Sequence, residues 1–270
     1  MNQKEVLVEK VLRLLGQAQC PRFLHRMGPK TYELWQHCIA LLVKQECKLS
    51  YRRTSALLNG LNVTVPTYSA LCKMSKRIPL YLWKRLLDAT HNVRFPRVVA
   101  LDGVFFTRTN PSFHYLKRID SPLPVGKPVQ ANILLDVRSR KCIGVEVHSE
   151  RVHESVDAEK LLEHAHPRVL VADKAYDSEK LYAYCKTRGM CAHIPIKSTT
   201  RKGFYRNYFR KRFDERCYHQ RSLVESYFSS LKRCRGSHVA SRTARHQRAE
   251  LYARIITQNL KLVPKTEIFN

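Results

Sequence analysis

The sequence predicts an α/β fold, a layered mixed sheet with flanking helices, preceded by a small all-α domain. Three observations carry this. Residues 1–97 set their aliphatic side chains at helical spacing. After residue 98, short apolar runs alternate with helical stretches in the order strand, hairpin, helix, strand, helix, strand, helix. Charge divides the chain in the same places: residues 1–97 carry 17 basic and 5 acidic side chains, 98–200 carry 15 and 12, and 201–248 carry 14 and 3.

In the first part, Thr31–Gln45 holds Leu34, Cys38, Leu41 and Leu42 on one helical face. Tyr51–Leu58 follows Ser50, whose hydroxyl suits an N-cap. Gly60 ends that helix, and Pro66, suited to a first turn, opens another through Lys76. Two short helices about a Gly-containing turn are compatible with a helix-turn-helix, in which Pro66–Arg77 meets DNA through Lys73, Lys76 and Arg77. They are equally compatible with a plain bundle whose face, bearing Tyr68 and these cations, is solvated. His91–Arg97 (HNVRFPR) is a linker, with Pro96 marking the turn into a strand.

Val98–Phe106 (VVALDGVFF) has the composition of a buried strand, interrupted by Asp102. A carboxylate ionised there is costly unless a metal or a basic partner meets it. After the Pro-rich loop Ser121–Pro128, Val129–Leu135 and Cys142–Val147 form a strand pair around the polar turn Asp136–Lys141, with Asp136 as a turn former. Ser155 can cap a helix over Val156–Ala165, and Val169–Ala172 is a short strand ending in Asp173. Asp177 or Ser178 can cap Glu179–Thr187, Gly189 ends that helix, Cys191–Ile196 is a last strand, and Glu250–Leu262 is a closing helix.

The 270 residues suffice for one sizeable core and a small accessory domain. A net charge of +27, from 49 Lys and Arg against 22 Asp and Glu, favours a polyanionic partner. The longest apolar run, Cys38–Val43, is too short to span a bilayer, and MNQKEVLVEKVLRLL interleaves charges with aliphatics rather than building a signal-peptide core. Neither a membrane partner nor export is expected. The nine cysteines are scattered without a Cys-x2-Cys pair, which argues for reduced intracellular thiols. From Arg201 to Cys217, Arg201, Lys202, Arg210, Lys211 and Arg212 are interleaved with Phe204, Tyr205, Tyr208, Phe209 and Phe213. Such cations can bind phosphates; the rings either stack on bases or anchor the segment to the core.

Tyr218–Lys232 (YHQRSLVESYFSSLK) lacks Pro and Gly and reads as one helix. An advance of ~100° per residue from Arg221 puts Glu225 at ~40°, Lys232 at ~20° and Tyr218 at ~60°, one narrow stripe, with Leu223, Val224, Tyr227, Phe228 and Leu231 on a separate apolar face. The plain alternative is an amphipathic helix with a solvated polar stripe. The spacing Tyr, two residues, Arg, three residues, Glu, six residues, Lys is, however, similar to the signature of insertion-sequence transposases of the DDE class. The resemblance covers Val98–Leu260 and takes in Asp102-Gly103, the segment ADKAYDS around Asp173, and this helix. It implies a ribonuclease-H-like core whose first two acids, Asp102 and Asp173, lie on strands and whose third, Glu225, lies on a late helix. It further implies that Tyr218, Arg221 and Lys232 hold transposon-end DNA.

Three carboxylates brought together repel one another unless divalent cations sit between them, and oxygen ligands of this kind suit Mg²⁺ or Mn²⁺. Two such ions ~3.5 to 4 Å apart can activate a water or 3′-hydroxyl and stabilise the leaving oxygen of an in-line phosphodiester displacement. The expectation is a transposase that binds the terminal repeats of an insertion sequence, cleaves, and joins 3′ ends to target DNA. Because an element has two ends, a homodimer on double-stranded DNA is expected, in the cytoplasm and with the nucleoid. The alternatives are a non-catalytic DNA-binding derivative and a ribonuclease-H-like nuclease without strand transfer. The resemblance departs at His153–Ser155 (HES), where relatives commonly show Asp beside the His. A zinc site built on His148, His153, His164 and His166 has loose spacing and no cysteine. The layout expected is a helical DNA-binding domain over 1–90, a linker over 91–97, a catalytic domain over 98–262 and a tail over 263–270. Intervals of 71 residues from Asp102 to Asp173 and 52 from Asp173 to Glu225 leave little room for a large inserted domain.

Overall fold

The computed structural model describes residues 3–25, 27, 30–91, 93, 95–108, 128–198 and 202–261. Arg201, most of the Pro-rich loop 121–128, Leu262 and the tail lie outside these residues. The chain divides into two units: Met1–Asn92 with Arg233–Gly236 and Ser241–Asn270, and Val93–Lys232 with Ser237–Ala240.

The first unit is helical: α1 (Gln3–Gln17), α2 (Leu34–Glu46), α3 (Tyr51–Gly60), α4 (Tyr68–Arg77), α5 (Leu80–Asp88) and the closing helix Ala244–Lys261. Ser50 caps α3 as expected, its Oγ accepting from Arg53 N at 3.3 Å. Helix α4 begins two residues later than Pro66, whose carbonyl accepts from Ser55 Oγ at 3.0 Å. Ile39, Leu58, Leu71, Leu82, Leu251 and Ile255 are buried almost completely. Each contributes about 1.5–3 kcal/mol by leaving water.

The closing helix starts six residues earlier than its apolar pattern suggests and groups with the N-terminal helices, packing on α2, α4 and α5. By contacts, the closing helix thus belongs with the helical unit. The physical reason is in the polar residues of the helix: buried Asn259 donates to Thr90 Oγ1 at 2.8 Å, and buried Arg254 pairs with Glu250 and donates to Gln45.

The second unit is built on a sheet of order β3-β2-β1-β4-β5, with β1 (Val98–Arg108), β2 (Val129–Asp136), β3 (Lys141–His148), β4 (Val169–Ala172) and β5 (Cys191–His193). β1 pairs antiparallel with β2, and β2 with β3; β4 runs parallel to β1 and β5 parallel to β4. This is a ribonuclease-H-like mixed sheet. Asp136 closes the hairpin turn by accepting from Ser139 N at 2.8 Å. Strand β5 stops at His193, short of Ile196, because Pro195 lacks the N–H a strand needs.

One sheet face carries Val99, Leu101, Leu134, Leu170 and Ala172 and is covered by α6 (Ala158–Ala165) and α7 (Glu179–Thr187). The structure corrects the start of α6: Glu154–Val156 forms a 3-10 turn, Ser155 bonds back to His153, and Asp157 stands at the helix start. Ser178 precedes α7 without a side-chain cap bond, and Gly189 ends it at φ 68°, a backbone geometry that glycine adopts without strain. Downstream come α8 (Phe204–Arg210), α9 (Glu215–His219), α10 (Ser222–Arg235) and β6 (His238–Val239), which extends β1 at Thr107 and Arg108. The closing helix is α11. The expected single helix Tyr218–Lys232 is thus two, because the chain tightens to three-residue bonds at Gln220–Arg221: Arg221 N to Tyr218 O, Leu223 N to Gln220 O and Val224 N to Arg221 O.

Candidate active site

Asp102 sits in the middle of β1, where Val99, Ala100, Leu101, Val104 and Phe106 are buried. Its carboxylate is met from two sides: Oδ1 accepts from Gly103 N at 2.8 Å, and Oδ2 accepts from Arg221 Nη1 at 3.0 Å. The basic partner required by a carboxylate in an apolar strand is therefore Arg221. The same guanidinium donates through Nη2 to Glu225 Oε1 at 2.5 Å, so Asp102 and Glu225 share one cation.

Asp173 reaches the same edge by register. β1 and β4 are parallel with Leu101 opposite Ala172, and Asp173 keeps extended backbone (φ −71°, ψ 163°). Neighbouring strands lie ~4.8 Å apart and alternate their faces together, so Asp102 and Asp173, the next residue on each, leave the same side. Asp173 Oδ1 accepts from Lys174 N at 2.6 Å. Among the described residues no group of three His, Cys, Asp or Glu side chains is arranged to hold a metal ion, and this includes Asp102, Asp173 and Glu225. The donor set itself, carboxylates on adjacent elements beside a backbone amide, fits Mg²⁺ or Mn²⁺ in chemistry.

Helix α10 runs along this face. Val224, Tyr227, Phe228 and Leu231 are buried, and Leu223 is half-buried, so the apolar stripe docks as its spacing predicts. Asp102 and Phe106 share one side of β1; Arg221 meets the first, and Lys232 Nζ lies 5.9 Å from the ring centre of the second. Tyr218, on α9, packs its ring against Phe213 with centres 5.5 Å apart. Burial alone would lower the Arg221 pKa, but the charges of Asp102 and Glu225 and the Glu225 hydrogen bond outweigh it and raise it.

The other described cations of the sequence reading are surface groups. Lys202, Arg210, Lys211 and Arg212 are exposed around α8, and Lys73, Lys76 and Arg77 are exposed on α4. Arg212 lies over the Tyr208 ring at 3.8 Å, and Lys186 donates to the Tyr208 hydroxyl at 2.8 Å. The rings differ in burial: Phe209 is buried and stacks on Tyr182, Tyr205 and Tyr208 pack against the core, and Phe204 is 78% exposed.

Sequence reading missed the polar network on the opposite face. Asn132 pairs with Gly103, one step from Asp102, and so points the other way. Asn132 Nδ2 and His148 Nε2 both donate to Asp157 Oδ2, at 2.7 and 2.6 Å, while Gln130 donates to Asn132 at 3.0 Å and accepts from Val152 N at 2.8 Å. Polar residues inside a fully buried strand were the available signal. Also missed was Arg206, buried in α8 against Asp177 at 2.7 Å.

The sheet order and its helices define a ribonuclease-H-like protein. Residues 94–260, more than half of the chain, match the transposase DDE domain family, and the chain belongs to that family. No curated protein sequence matches it. Among solved structures the chain is similar to a piggyBac transposase in a synaptic complex with hairpin DNA, at TM-score 0.45 and 13% identity over 94% of this chain and 70% of that one.

Proposed function

We propose that this transposase-family protein is an active DNA transposase, binding the ends of an insertion sequence and carrying out metal-dependent phosphodiester cleavage and strand transfer with Asp102, Asp173 and Glu225. The observation that carries the reading is the convergence of Asp102 and Glu225 on one guanidinium, with Asp173 at the adjoining register on the parallel strand. Bound to these carboxylates, two Mg²⁺ or Mn²⁺ ions supply activation of the attacking water or 3′-hydroxyl and stabilisation of the leaving oxygen.

The chain's own residues do the rest. The Gly103 amide, bonded to Asp102 Oδ1, fixes that carboxylate's orientation. Arg221 and Lys232 flank Glu225 and bring positive charge to a DNA backbone. The exposed cations of α8 add to that charge within the same unit, those of α4 are a basic surface of the helical unit, and double-stranded DNA, both terminal repeats and target, is the polyanion a net charge of +27 favours. Two ends call for two active sites, hence a homodimer on DNA, and a cytoplasmic, nucleoid-associated protein is consistent with this use. No helix among the described residues is long and apolar enough to cross a membrane.

The test is cleavage of a duplex that carries the inverted repeats flanking the gene. Nicking in Mg²⁺ or Mn²⁺ that disappears in EDTA is expected, and Asp102→Asn and Asp173→Asn should each remove it. Undiminished cleavage in EDTA would reject the metal mechanism.

A further inference from the structure

Arg221 stands where the two roles expected of its surroundings meet. It is a cation positioned for DNA, yet two of its nitrogens are engaged by Asp102 Oδ2 and Glu225 Oε1. The Asp102 and Arg221 side chains are 14% and 19% exposed, whereas Glu225 is 54% exposed, so the bridge is closed towards β1 and open to solvent at Glu225. A carboxylate oxygen that accepts from a guanidinium cannot also bind a divalent cation at full strength, because the two positive groups repel across a few ångströms of partly desolvated space. A phosphate offers the guanidinium fork the same paired acceptors as carboxylates do. Arg221 also lies in the turn before α10, so a change of its rotamer leaves the docked helix in place.

We propose that Arg221 and a divalent cation compete for Asp102 Oδ2 and Glu225 Oε1, and that transfer of the Arg221 guanidinium to a DNA phosphate releases these oxygens, so that cation uptake follows DNA engagement. The inference rests on the carboxylate reading of the site given above. Arg221 then acts as a positioning residue with two alternating sets of partners, and the cation is held weakly by a protein that holds no DNA.

The experiment is Mn²⁺ binding to the full chain, read from the electron paramagnetic resonance signal of the free ion, which needs no turnover. Arg221→Gln keeps much of the side-chain volume and removes the charge; it should bind Mn²⁺ about tenfold or more tightly than the parent without DNA, given the repulsion removed. Adding Glu225→Gln should abolish that gain. A mixed-sequence duplex, after subtraction of Mn²⁺ bound by the duplex alone, should tighten binding to the parent and leave Arg221→Gln unchanged. Equal affinities for the parent and Arg221→Gln, with weaker binding by the double variant, would overturn the competition while leaving the carboxylate site standing. Equal affinities for all three would remove the site and the inference together. If Arg221→Gln loses its cooperative unfolding transition, Arg221→Met serves instead: it keeps an unbranched stem and removes the charge, the same gain is expected, and no gain overturns the proposal.

Discussion

At the scale of single residues, the proposed roles in chemistry and in binding can be tested apart on Glu225, Arg221 and Lys232. Glu225→Gln removes a carboxylate charge and leaves Arg221 and Lys232 in place, so DNA affinity should persist while cleavage falls. Arg221→Ala or Lys232→Ala should weaken binding and reduce the slope of log affinity against log salt by about 0.9 for each phosphate no longer neutralised. A gel-shift salt titration beside a cleavage assay measures both. If all three variants bind and cut like the parent, the stripe is only solvated. His37 offers an independent prediction. It is buried on α2 and burial lowers its pKa from 6.5 to about 4. Between these values the unfolded chain binds the proton that the folded chain excludes, so stability is fully present above pH 6.5 and declines as pH falls towards 4, by up to about 3 kcal/mol. Urea unfolding at pH 7 and pH 4.5 should register the decline, and His37→Leu should flatten it.

At the scale of elements, α8 shows how a basic segment is both anchored and exposed. Arg206 and Asp177 form a buried ion pair at 2.7 Å, Asp177 also accepts from Lys197 N at 2.9 Å, and Glu179 accepts from Tyr205 N at 2.7 Å and Arg206 N at 3.1 Å. These bonds tie the start of α8 to the residues that open α7. Asp177→Ala removes the nearer of two carboxylates from the buried Arg206 guanidinium, leaving Glu179 at 3.8 Å, and should cost about 3 kcal/mol in chemical denaturation. The rings of the segment should behave differently from one another. Phe209→Ala should destabilise by about 3–5 kcal/mol, as expected of a core aromatic. Phe204→Ala should leave stability within about 0.5 kcal/mol, and a loss of DNA affinity in that variant would identify its ring as a stacking platform.

At the scale of the whole molecule, charge is arranged by segment. The nearly balanced stretch 98–200 supplies all five strands of the main sheet, and the strongly basic stretches 1–97 and 201–248 lie to either side in sequence. Such a protein should bind duplex DNA without sequence preference at low salt and lose most of that affinity as salt rises, since counterion release dominates the interaction. Filter binding of an unrelated duplex across a salt series measures it; a flat response would remove the electrostatic argument for a nucleic-acid partner.

The amino-acid sequence alone determined where β1 to β5 lie along the chain, though not the end of β5 or the short β6, together with the cap at Ser50, the stop at Gly189 and the docking stripe of α10, because each depends on local periodicity or on one residue's backbone preference. It also marked Asp102, since a carboxylate within VVALDGVFF must meet a positive partner. It did not reveal which partner. Arg221 reads from sequence as one cation of a DNA-facing stripe; only folding brings it within 3.0 Å of Asp102, a residue 119 positions away. The break at Gln220–Arg221 escaped the helical pattern because no Pro or Gly marks it, and the bridge to two carboxylates is made at that turn. The grouping of α11 was likewise invisible, since an apolar stripe states that a helix docks and not on what. Register decided the rest: the parallel pairing of β1 with β4, up to Leu101 opposite Ala172, brings the residues just before Asp102 and Asp173 together through hydrogen bonds between strands that no local stretch of sequence contains.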